Sequence, residues 1–64
     1  MDTKQTLNQM IALLTASLED ADKFDRGQDA AGRRIRSTLS EVAASCKILR
    51  SDIQATRNQR KADK

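Results

Sequence analysis

The residues of this 64-residue chain that could do chemistry are nearly all cationic, and they concentrate in its second half. Arg33, Arg34, Arg36, Lys47, Arg50, Arg57 and Lys61 recur there at helical spacing. With Leu39, Cys46 and Ile53 taken as heptad position a, position b reads Arg33, Ser40, Lys47, Gln54, Lys61, and position e reads Arg36, Ala43, Arg50, Arg57, Lys64. Those two positions share one ridge of an α-helix. Seven of the nine basic residues in 33–64 fall on it, and no acid does. A solvated helix face gains from opposite charges three or four residues apart. A ridge of one sign forgoes that gain and repels itself, so a bound polyanion is the expected compensation. A phosphate backbone matches such a ladder best.

The charge is divided along the chain. Residues 1–32 hold three cations against six acids, a net −3, and residues 33–64 hold nine against three, a net +6. A second reading therefore applies near the middle. Glu19, Asp20 and Asp22 lie about opposite Arg33, Arg34 and Arg36 in a hairpin, so these arginines could be surface ion-pair partners, each pair weak. In a third, the three arginines join the free amides of a helix start to hold one phosphate. The distal set Lys47, Arg50, Arg57 and Lys61 faces only Asp2, Thr3, Lys4 and Gln5, and lacks adequate acid partners.

Other chemistry is poorly served. The chain has no His, and Cys46 is its single cysteine. That argues against a zinc site, a Ser–His or Cys–His nucleophile, and an internal disulfide. No metal, cofactor or small-molecule substrate is expected, nor is the chain expected to be an enzyme. The acidic run Asp20 to Asp25 lacks the glycine and terminal Glu of a calcium loop. Phe24 is the only aromatic residue and is expected in the core, so stacking on bases is not expected. No apolar run approaches a membrane span, and the first twenty residues do not read as a signal peptide. A reducing, cytoplasmic setting is expected.

Two elements must position the ridge. Leu7, Ile11, Leu14, Leu18 and Ala21 step by 4, 3, 4, 3, and Ile35, Leu39, Val42, Cys46, Leu49 and Ile53 continue the rule. Asp2 or Thr3 is placed to cap the first helix, Gly27 to stop it, and Asp29 to favour the start of the second. The pattern predicts one all-α domain over 1–64: a helix over about 3–25, a turn at 26–28, a helix over about 29–58, and a basic C-terminal end. So short a turn makes the helices antiparallel, and the second overhangs the first beyond about residue 53. Met10, Leu13 and Phe24 widen the apolar face of the first helix beyond one partner's reach. A homodimer forming a four-helix bundle is therefore expected, with Leu7, Ile11, Leu14, Leu18, Leu39, Val42, Cys46 and Leu49 as core and dimer residues.

The run Gly27, Ala30, Ala31, Arg34, Ile35, Arg36, Val42, Lys47, Ile48, Arg50 resembles the N-terminal domain of the chlamydial linker-histone-like nucleoid proteins. That family reads roughly Gly-Asn-Lys-Ala-Ala-Ala-x-Arg-Val-Arg, then Lys-Val-x-Arg one helix further on. The likeness needs no gap from Leu13 to Arg50 and includes Leu14, Asp20, Lys23 and Arg26. It implies a small helical DNA-binding protein that compacts bacterial or viral chromatin. Asp29 stands where the family has Lys, and Gly32 where it has Ala. Gly32 either costs helix stability or permits a close approach. DNA-condensing members carry a long tail rich in Lys and Ala. The sequence here ends on Lys61-Ala62-Asp63-Lys64, so weaker and more salt-sensitive binding is expected. The expected function is largely sequence-nonspecific DNA binding in nucleoid organisation. The alternative is a small helical protein–protein interaction module or RNA-binding adaptor.

Overall fold

A computed structural model describes residues 2–62. They form two α-helices, α1 (Thr3–Asp25) and α2 (Asp29–Ala62), packed as an antiparallel hairpin, with no strand among the described residues. The fold is the all-α hairpin expected. Met1, Asp63 and Lys64 lie outside the described residues, and with them the ridge position assigned to Lys64.

Each boundary has a local cause. Asp2 has extended backbone, and its carboxylate accepts the Gln5 amide at 3.0 Å, so Asp2 rather than Thr3 is the N-cap of α1. At the other end the Gly27 amide donates to the Phe24 carbonyl (2.9 Å) and the Gln28 amide to the Lys23 carbonyl (3.1 Å). This pair of bonds is a Schellman closure, which needs a left-handed residue at its apex. Gly27 supplies it, with φ of 101°. Asp29 then stands in the first turn of α2, where a carboxylate meets the positive end of the helix dipole.

The expected end of α2 falls short by about one turn, since the helix continues to Ala62. Gln54 donates to Asn58 one turn ahead at 3.2 Å, and Arg60 and Lys61 oppose the negative end of the dipole. At 34 residues against 23, α2 outreaches α1, and the molecule measures 56 × 15 × 13 Å.

The helices meet along a line that the heptads alone did not select. On α1 the line runs through the half-buried Thr3, Thr6, Met10, Leu13, Ser17 and Asp20, one position before the leucine series, with Ala21 and Lys23 half-buried beside it. On α2 the line runs through the half-buried Ile35, Thr38, Val42, Ser45 and Asp52, with Ala31 and Leu49 buried outright. Val42 and Leu49 thus sit on the inner line, and Cys46 is half-buried beside it. Leu7, Ile11, Leu14 and Leu18 stand off the line at 42–67% exposure, as does Leu39. The tight turn fixes the azimuth at which α2 meets α1, and small side chains let the helices close there. Three of the hydroxyls this brings inward turn back onto their own helix: Thr6 donates to the Asp2 carbonyl at 3.1 Å, Ser17 to the Leu13 carbonyl at 3.0 Å and Thr38 to the Arg34 carbonyl at 3.1 Å.

The inner line defines the sides of the hairpin. In an antiparallel pair, the residues that follow the line by one position lie on the same broad face of both helices. That face carries Leu7, Leu14, Leu39, Cys46 and Ile53, with Ile11 and Leu18 beside them. The opposite broad face carries Gln9, Ala16, Glu41 and Ile48, with Ser37, Ala44 and Ser51 further round. One side of the slab is apolar and the other is largely polar or small.

Candidate nucleic-acid interface

The acids near the turn decide how much of the basic ridge stays available. Glu19 pairs with Lys23 at 3.8 Å and Asp22 with Arg26 at 2.9 Å, both one turn apart within α1 and its C-cap. Asp20 alone reaches across, accepting from Nε and Nη2 of Arg34 at 3.1 and 3.0 Å. The Asp20 side chain is 24% exposed. The Arg34 hydrogen bond holds its carboxyl below the usual range, against the opposing effect of partial burial, and the Arg34 and Lys23 charges add to the lowering. The same hydrogen bond raises Arg34 further above its ordinary value.

Of the three proximal arginines, then, one is tied to an acid and two are not. Among the described residues, no carboxylate lies within ion-pair distance of Arg33, Arg36, Lys47, Arg50, Arg57 or Lys61. Arg34 points to a different side of α2 from the other six, one position before the inner line. Arg33, Lys47 and Lys61 lie on the outer edge of α2, diametrically away from α1, and Arg36, Arg50 and Arg57 lie between that edge and the apolar face. Lys47 and Arg50 flank a shallow groove with Ser51 and Gln54. Arg57 and Lys61 stand on the overhang, where every described residue from 53 to 62 is exposed.

The distances along α2 follow from its rise. Arg33 to Lys61 spans about 42 Å at 1.5 Å per residue. The pair Arg33 and Arg36 is centred about 37 Å from the pair Arg57 and Lys61, close to the ~34–36 Å of one duplex turn.

Near the turn, Gly32 has a role that the sequence left open between two readings. The close approach it permits is that of a side chain. A Cβ built on Gly32 would lie 2.7 Å from both Cδ1 and Cε1 of Phe24, so the glycine makes room for the ring. Phe24, Asp29, Gly32, Arg33, Ile35 and Arg36 line a cavity of about 300 Å³ there. The ring is 47% exposed, which makes it the edge of a groove rather than a core residue. Only its position one turn from the glycine across the hairpin could have signalled the contact.

The protein is thus small and all-helical among its described residues, and its longer helix carries a row of cations with which no described carboxylate pairs. The family model for histone H1-like protein Hc1 matches residues 4–59, and the chain belongs to that family. Membership makes it a histone-like, DNA-binding nucleoid protein, from a DNA-packaging family rather than an enzyme family. No curated protein and no solved structure matches the chain. Among the described residues, no helix is long and apolar enough to cross a membrane.

Proposed function

We propose that the chain binds duplex DNA through its phosphates, largely without regard to base sequence, and that it does so as a homodimer. The observation that carries the first part is the ion pairing near the turn. Glu19 and Asp22 are satisfied on their own helix, and Asp20 takes only Arg34. Six cations of the outer ridge are left to meet an external anion. Arg and Lys on one continuous helix face, with no aromatic platform, suit backbone contact rather than base reading. Arg34 enters this reading as a residue that fixes the helix pair.

The homodimer rests on surface area. The chain exposes 5363 Å², whereas a compact monomer of 7.1 kDa exposes about 4,100 Å². The surplus exceeds the ~800 Å² that each partner buries in a standard interface. The leucines and isoleucines of the apolar face contribute to it. A second hairpin presents the same face and is the simplest occupant. The alternative, an adaptor whose ridge meets an acidic protein or RNA, would give no shift of duplex DNA at low salt.

Electrophoretic shifts on random duplexes of increasing length, over a salt series, test the binding. Six phosphate contacts per hairpin give a slope of log K against log salt near ~−5. Absence of any shift at low salt overturns the proposal. Light scattering at micromolar protein should return twice the chain mass, and a monomer there refutes the dimer.

A further inference from the structure

We infer that the dimer carries its two basic ridges on opposite edges and therefore holds two separate duplexes at once. This rests on the homodimeric, DNA-binding reading above and adds the arrangement of the copies.

Each hairpin is a slab with an apolar broad face and a basic edge along α2. Two such slabs joined face to face by a two-fold axis have two arrangements. In one, α2 lies over the α2 of the other copy. The other places each α2 over the other copy's α1.

Charge separates the two. Arg36, Arg50 and Arg57 border the apolar face on the α2 side. Stacking α2 on α2 would bring both copies of this row together, six guanidinium groups along one rim. Like charges so placed are costly and select against the arrangement. Stacking α2 on α1 instead sets this row beside Lys4, Ile11, Leu18 and Asp25 of the other copy, a row with one charge of each sign, and so avoids the repulsion. The exposed leucines of α1 cover Leu39 and Cys46 equally well in this arrangement. It also keeps both copies of Arg33, Lys47 and Lys61 in water, since they point away from α1 and from the face that is buried.

The consequence is geometric. With the helices alternating round the bundle, the two α2 edges occupy diagonally opposite corners and point in opposite directions. The body between them is two helices thick, roughly 20 Å. Duplex DNA is stiff over ~150 base pairs, so wrapping one molecule round so small a body is disfavoured. Two duplexes, one on each edge, satisfy both ridges without bending.

Capture of one duplex by another tests this. A biotinylated duplex on beads is mixed with protein and a fluorescent duplex of unrelated sequence. The wild-type chain should retain the fluorescent duplex, with retention rising and then falling as excess protein coats each duplex separately. Leu14→Glu and, independently, Leu18→Glu alter exposed positions of the apolar face outside the inner line, so hairpin helicity should persist by circular dichroism. Each should still shift a single duplex but lose capture by at least tenfold. A wild-type dimer that shifts a single duplex yet captures no second one overturns this inference alone. Undiminished capture by monomeric Leu14→Glu overturns it as well. Failure to shift even a single duplex overturns the functional reading beneath it.

Discussion

Replacing Gly32 by Ala sets two effects of similar size against each other. Alanine in a helix interior is favoured over glycine by about 1 kcal/mol. The new Cβ, however, would stand 2.7 Å from two atoms of the Phe24 ring, inside any real contact distance. The ring is the side that yields, because it is 47% exposed and can swing into solvent. Full burial of a Phe side chain is worth about 1.5–3 kcal/mol, so losing the covered half costs about 1 kcal/mol. Gly32→Ala alone should therefore leave stability within about 0.5 kcal/mol of wild type. In a Phe24→Ala background nothing obstructs the Cβ, and the same change should stabilise by about 1 kcal/mol. The double-mutant cycle should then show a coupling near 1 kcal/mol between residues 24 and 32. Urea unfolding followed by far-ultraviolet circular dichroism measures all four proteins, at one protein concentration because association would shift each midpoint. An equal gain from Gly32→Ala in both backgrounds would show that the ring does not sit on the glycine.

Other positions give independent checks. Gly27→Ala should cost about 1–2 kcal/mol, since φ is 101° and a Cβ there meets nothing within 4 Å, so the penalty is backbone alone; Gly27→Asn should cost less. Carbon-detected titration should place Asp20 below the ~3.9 of an unfolded aspartate, and Arg34→Gln should move it back up. Because its folded value is depressed, Asp20 contributes stability that is present above the unfolded value. That contribution is lost as pH falls through the folded one, a dependence that Asp20→Asn should flatten. Lys47→Glu with Arg50→Glu should abolish retention of DNA while leaving the helical spectrum unchanged; retained binding would make the ridge irrelevant.

Element type and turn chemistry were legible because they are local. Asp2 faces an orphan amide, Gly27 adopts a conformation that other residues resist, and the 4, 3, 4, 3 spacing defines a stripe on each helix. The inner line was not legible. Two stripes on α1 differ by one position, and the more apolar one, through Leu7, Ile11, Leu14 and Leu18, attracts any count of hydrophobic residues. Packing chose the stripe of Thr6, Met10, Leu13 and Ser17, where the hairpin can close. Hydropathy scores do not register that a seryl hydroxyl can turn back onto its own helix, as Ser17 does. At the basic surface, sequence narrowed the candidates but could not separate Arg34 from Arg33 and Arg36. All three lie about opposite the same acids, and only the side of α2 from which each departs determines which one Asp20 reaches.

The last nine described residues of α2, from 54 to 62, run past the end of α1 with nothing alongside. Such a segment would be a poor helix in isolation, because starting a helix is the unfavourable step. Here the start lies some twenty-five residues earlier, inside the hairpin, and the tip only extends what already exists. It behaves as a cantilever, stiff at its root and held in water along its length. Arg57, Arg60 and Lys61 are thereby presented to a partner in fixed order and at a fixed pitch. An unstructured tail with the same charges would give up chain entropy on contact, and this arm has far less left to lose.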